Sequence, residues 1–278
     1  MNWIKKNLST ILLVLALVIG LCLLLYPTVS DYWNSFHQSR AIATYVESVA
    51  QIDNSHYTQL LEDAQAYNAG LSQLEKANWL LSEEELAYYG SVLDVSGTGV
   101  MCSLEIPKIK VSLPIYHGVD EGVLQIAVGH IPGSSLPVGG ESTHCVLSGH
   151  RGLPSARLFT DLDKLVVGDT FLINVLDEVL TYEVDQILIV EPYDLSSLEI
   201  FPGEDLVTLV TCTPYGINTH RLLVRGHRVE TVRQAKAIRV PADAVQIDPT
   251  LVAPVVAAPM LLILLLILLL TSKRRPKS

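Results

Sequence analysis

The chain has 278 residues, 49 % of them hydrophobic and only 17 % charged, a balance that argues against one wholly soluble domain. Its formal net charge is −10 although both ends carry basic residues. Outside those ends there is no cluster of Lys and Arg to displace phosphate counterions, so no nucleic-acid partner is expected.

Lys5 and Lys6 precede a run from Ile11 to Leu25 in which every residue except Gly20 is strongly apolar. Residues 1–26 therefore read as a transmembrane anchor; the alternative is a cleaved signal peptide with Thr28 and Ser30 near the cut, before which Tyr26-Pro27 sits awkwardly. Either version exports the domain. Residues 27–96 read as a helical region. Ile42, Tyr45, Val46, Val49 and Ile52 form one helical stripe, Asp53-Asn54-Ser55 supplies capping residues, and Tyr57, Leu60, Leu61, Ala64, Tyr67, Leu71 and Leu74 form a second. Two helices with a break between them are expected, and Ser82 with Glu85 is a capping box that opens a third, short one.

Beyond Gly97-Thr98-Gly99 the composition changes. Residues 97–230 contain short runs rich in β-formers, among them VMCSLEIPKI, THCVLSGH, LTYEVDQILIV, DLVTLVTC and RLLVRGHRV, punctuated by Gly, Pro and Asp. The fold class expected is mainly β, a closed or sandwiched domain. Residues 231–250 are polar and mixed, a connector. Residues 251–271 are again apolar and long enough to span a bilayer, and 272–278 form a basic tail with Lys273, Arg274, Arg275 and Lys277. Basic flanks mark the cytoplasmic side, so both termini are expected inside and the region between the spans outside.

Of the four cysteines, Cys22 lies in the first apolar run, which leaves Cys102, Cys145 and Cys212 outside. An odd number there leaves at least one thiol without an intrachain partner. Cys102 and Cys145 read as buried strand thiols rather than a disulfide. Cys212 ends a strand-like run, Pro214, Gly216 and Asn218 form a turn, and Arg221 begins the next strand, so a hairpin would bring the thiol and the guanidinium to neighbouring strand ends. A nearby cation favours thiolate, and an Arg also donates to an oxyanion. His150, after the strand-like Val146 to Ser148 and between Gly149 and Gly152, is the candidate acid or base. His220 adjoins Arg221, and since neighbouring strand residues point to opposite faces, only one of the two can face Cys212; Arg221 is the choice. His130, His144, His220 and His227 lack HExxH or CxxC spacing, so no metal is expected, and no Walker or dinucleotide glycine pattern implies a cofactor.

TLVTCTPYGINTHRLLVRG, Thr208 to Gly226, and LSGHRGLPSARLFTDL, Leu147 to Leu162, resemble the two signature blocks of sortases, and more narrowly those of class C, the pilus-assembling group. LEIP at Leu104 to Pro107, LPIYHG at Leu113 to Gly118 and GHIPGSSLPVGG at Gly129 to Gly140 follow the family order. The resemblance implies a closed sortase-type β-barrel with short helices, an N-terminal helical subdomain and a transmembrane helix at each end. It implies Cys212 as nucleophile, His150 as the acid and Arg221 as the essential arginine. It further implies an LPxTG-like sorting signal as substrate and a pilin Lys as the attacking amine, with anchoring of surface proteins to the cell wall, or a non-catalytic scaffold of this fold, as alternatives. Papain-like and L,D-transpeptidase patterns are absent. Class C enzymes commonly carry a lid with an Asp-Pro-aromatic motif. The corresponding stretch here is Ala77-Asn78-Trp79, which keeps an aromatic residue, Trp79, as the lid candidate and lacks the acidic one; an ordinary packed aromatic is the other reading of Trp79.

Overall fold

The computed structural model describes residues 7–74 and 78–231. Lys5, Lys6 and Ala77, nearly all of the expected connector, the second span at 251–271 and the basic tail at 272–278 lie outside the described residues.

The first helix, α1 (Leu8–Gln51), is 44 residues long. It does not end at the Tyr26-Pro27 boundary expected from the sequence: Pro27 lies inside it, where the missing N–H removes a single ladder bond. Its apolar part is long and apolar enough to cross a membrane, and Leu12, Leu13, Leu23 and Leu24 are exposed, as an anchor in lipid requires.

Asp31–Val232 forms a compact unit. Within it α1 contributes Tyr45, fully buried, whose hydroxyl accepts the Leu176 N–H at 2.7 Å. The break expected near residue 53 is present: the Asp53 carboxylate accepts the His56 N–H at 2.8 Å and starts α2 (Asn54–Ser72). Buried Asn68 on α2 clamps the backbone of Leu136, accepting its N–H at 2.7 Å and donating to its carbonyl at 3.1 Å. Ser82 and Glu85 form the reciprocal capping box at the start of α3 (Glu83–Ser91).

The β region is a barrel of β1 (Val100–Ile106), β2 (Val111–His117), β3 (Val128–His130), β4 (Thr143–Ser148), β5 (Thr170–Val175), β6 (Glu178–Val190), β7 (Asp205–Thr213) and β8 (His220–Val229), with a four-residue helix, α4 (Glu121–Leu124), before β3. The strand order is β1-β2-β3-β4-β7-β8-β6-β5, closed. The β2–β3 and β4–β7 pairs are parallel and the others antiparallel.

Alternation along each strand assigns side chains to a face. Cys145, Leu147, Val207, Leu209, Leu222 and Val224 belong to the main core. Val146, Val210 and Leu223, one residue out of phase, pack instead with Leu198, Leu188, Val190 and Trp79 on the outer face. That face carries the candidate site. Cys102 and Cys145 are free thiols at 0 % and 3 % exposure, and burial pushes both up from the ordinary thiol range.

Candidate active site

On the outer face, strand pairing sets residues in rows. Val146, Thr208, Arg225 and Gln186 are register neighbours across β4, β7, β8 and β6, and Ser148, Val210, Leu223 and Leu188 make the next row. One row further on, Cys212 pairs with Arg221, and Arg221 with Val190. The β4–β7 ladder continues past Ser148, because the Gly149 N–H donates to the Val210 carbonyl at 3.1 Å. His150 follows directly, just past the end of this ladder, while Cys212 lies two residues beyond Val210 on β7. The hairpin foreseen from sequence exists, with a connection of six residues, 214–219.

All three side chains are half-buried. Arg221 donates through Nη1 to the carbonyls of Asn218 (3.3 Å) and His220 (3.2 Å), and among the described residues it makes no ion pair. The other arginine on this face of β8 differs: Arg225 is held by Asp185 through bonds of 3.0 and 2.8 Å. His220 is the register partner of Thr213, out of phase with Cys212, and its Nε2 lies 3.3 Å from Glu191.

The loop carrying His150 is fixed from several sides. Gly149 has no room for a side chain, since a Cβ would stand 2.7 Å from the Phe159 ring, and the His150 carbonyl accepts the Phe159 N–H at 3.1 Å. Residues from α1 hold the far part of the loop: the Asp31 carboxylate accepts the Arg157 N–H at 2.8 Å, and Asn34 donates to the Ser155 carbonyl at 2.8 Å. Thr211, just before Cys212, donates to the Gly149 carbonyl at 2.7 Å. Arg151, just after His150, reaches Thr213 Oγ1 at 3.3 Å.

Trp79 packs on Val146, Leu198, Val210 and Leu223, on the rows next to Cys212. The strap that carries it lies so close to Gly133 that a Cβ there would meet the Asn78 carbonyl at 2.3 Å. The Asn78 side chain is used locally, its Oδ1 accepting the Leu80 N–H at 3.2 Å. A cavity of about 310 Å³ adjoins Trp79 near the start of β4, lined by His144, Glu199 and Ile200 among others, away from the Ser148 end of that strand. His144 there is buried and donates to the Glu199 carbonyl (2.7 Å) while facing Thr208 Oγ1 at 2.7 Å. No cluster of His, Cys, Asp and Glu suited to a metal occurs among the described residues.

Cys212 and Arg221 thus share a register row, with His150 in the loop that follows the neighbouring strand β4; a thiol, a guanidinium and an imidazole are the residue types that acyl transfer through a thioester uses. The sortase domain family matches residues 104–229, the span of the barrel. The chain is 52 % identical to sortase C1 of Streptococcus agalactiae, with a TM-score of 0.67 covering 69 % of this chain and 98 % of that one. It is 46 % identical to sortase C of Streptococcus pneumoniae, with a TM-score of 0.62 over 69 % of this chain and 97 % of that one. Sortase D of Bacillus subtilis (strain 168) is 34 % identical over 129 residues, which are 45 % of this chain and 62 % of that protein. Sortase A of Streptococcus agalactiae serotype III is 28 % identical over 135 residues, 54 % of its length. The chain thus matches less than two thirds of these two curated relatives. It belongs to the sortase family, whose members are cysteine transpeptidases, and its similarity to the solved class C structures extends over more of the chain than the family match does.

Proposed function

We propose that this protein is a membrane-anchored, pilus-assembling sortase that cleaves an LPxTG-like signal between Thr and Gly and transfers the acyl group to a Lys amine of a pilin subunit. The observation that carries the reading is the direct register of Cys212 with Arg221 across β7 and β8, with His150 in the loop after β4, the strand paired with β7. The similarity to class C enzymes over about two thirds of the chain supports the choice of class.

In this reading the Cys212 thiolate attacks the Thr carbonyl carbon, and the developing oxyanion is met by Arg221, which among the described residues has no carboxylate partner to give up. The C–N bond breaks, and His150 as imidazolium delivers the proton to the leaving Gly amine. The thioester remains on Cys212. A pilin Lys then adds to the same carbon as a neutral amine, His150 takes its proton, and the thiolate leaves. The product is an isopeptide bond and the enzyme is regenerated, so no cofactor is required.

Trp79 acts as a lid over the apolar rows that receive the signal, without an acidic partner for Arg221. Two spans, at 1–26 and 251–271, hold the domain outside the membrane with both termini in the cytoplasm.

The test is mass spectrometry of the full chain in detergent after mixing with an LPxTG-type peptide, for wild type and Cys212→Ala. An acyl adduct mapped to Cys212 and absent from the variant is the expected result. Absence of any adduct in both wild type and Trp79→Ala would overturn the reading.

A further inference from the structure

Four residues flank the proposed nucleophile and acid, and they are bonded in pairs. Thr211 and Thr213 bracket Cys212; Gly149 and Arg151 bracket His150. The Thr211 hydroxyl donates to the Gly149 carbonyl at 2.7 Å, and the Arg151 guanidinium donates to the Thr213 hydroxyl at 3.3 Å. Both threonines are buried and alternate with Cys212, so the two bonds lie behind the face from which Cys212 projects.

Arg151 is built into this arrangement. Its side chain is 9 % exposed, its Nη2 reaches the Asp163 carboxylate at 2.5 Å, and its guanidinium lies 6.0 Å from the Tyr215 ring in the β7–β8 connection. Gly152 brings the backbone close enough to that ring that a Cβ would stand 2.8 Å from it. The Arg151 Nε–H, also buried, has no acceptor among the described residues. A side chain retained only for stability has no use for an unpaired buried donor, which is a cost. A planar cation that joins three elements, the loop after β4, the turn at Asp163 and the end of β7, has a use as a fixed brace.

We propose that Arg151 is a positioning residue of the transpeptidation site, one that sets the spacing between His150 and Cys212 by bracing Thr213 and Asp163 together behind them. The inference rests on the sortase reading of Cys212 and His150, but its test does not require a substrate.

The readout is the rate at which iodoacetamide alkylates Cys212 in the full chain in detergent, followed by mass spectrometry of the Cys212 peptide, with melting followed by near-ultraviolet circular dichroism. Displacing a reacting group by about 1 Å costs up to ~100-fold in rate, and a loss on the order of 10-fold is expected for Arg151→Met and Arg151→Lys. Thr213→Val should fall with them and Thr213→Ser should stay near wild type, all folded by the dichroism criterion. In a His150→Ala background Arg151→Lys should have no further effect, because its influence acts through the imidazole. Equal alkylation rates for wild type and a folded Arg151→Lys, or losses that simply multiply with His150→Ala, would overturn the proposal. If alkylation behaves as expected while no LPxTG-type peptide forms an adduct, the brace stands and the proposed substrate falls.

Discussion

Cys212 and Arg221 are register partners across β7 and β8, and Val190 of β6 stands on the other side of Arg221. Arg221 thus stands in the row of Cys212 itself, while Arg225 is committed to Asp185. Geometry of this kind depends on the planar fork of arginine.

Replacing Arg221 by Lys keeps the charge and loses the fork. Removal of an oxyanion donor costs roughly 100-fold to 1,000-fold in kcat, and a loss toward the lower end of that range is expected here because the charge remains. Steady-state transpeptidation with an LPxTG-type peptide and an amine acceptor measures it. Wild-type kcat in the variant would remove Arg221 from the chemistry.

Trp79→Ala strips the aromatic cover from Val146, Val210 and Leu223. Peptide turnover should rise several-fold through a lower KM, as a smaller side chain leaves the apolar rows open. Unchanged turnover would mean that Trp79 is an ordinary packed aromatic and that there is no lid.

Gly149→Ala places a methyl group 2.7 Å from the Phe159 ring. Overpacking of this kind costs about 1–3 kcal/mol, and the strain falls on the loop that carries His150. Activity should drop more than the melting temperature suggests. Adding Phe159→Leu should restore part of it; a double variant as impaired as the single one would refute the steric account.

Buried histidines govern the acid limb of stability. Burial pushes His130 and His144 down to about 4. Both are held by hydrogen bonds inside the barrel: His130 Nε2 donates to the Ser135 carbonyl (2.8 Å) and its Nδ1 lies 2.9 Å from the Tyr89 hydroxyl. Between pH 6.5 and 4 the unfolded chain takes up protons that the native one refuses, so stability is fully present above about 6.5 and is lost as pH falls. Each histidine contributes on the order of 3 kcal/mol to that loss once pH reaches about 4. Carboxylates held low by their partners, such as Asp53 and Glu85, act only at lower pH. Urea unfolding at about pH 7 and about pH 5 should differ by a few kcal/mol, and His144→Gln should remove part of the difference. A flat profile would contradict the burial of neutral imidazoles.

Local signals were legible in the sequence and long-range ones were not. The caps at Asp53 and Ser82 act within three residues, and the Cys212–Arg221 pairing follows from one hairpin. The strand β3, only Val128–His130, is too short to show alternation. The passage of α1 through Pro27 was hidden because proline reads as a boundary, while an apolar helix tolerates the loss of one ladder bond. The brace at Arg151 requires the parallel pairing of β4 with β7, about sixty positions apart, and nothing in an HRG triplet announces it. The second span and the residue before Asn78 fall outside the described residues.

Burial of Cys102 and Cys145 has a practical side. Within Asp31–Val232 a bulky charged thiol reagent finds only Cys212 within reach, because the other two sulfurs are sealed in the barrel core. Cys22, though exposed on α1, sits in the apolar stretch that lipid would cover. The native protein therefore carries a built-in tag. Intact cells treated with a membrane-impermeant thiosulfonate should be labelled at Cys212 if the barrel faces outward, and should stay dark until lysed if it faces the cytoplasm, which turns a packing pattern into a map of sidedness.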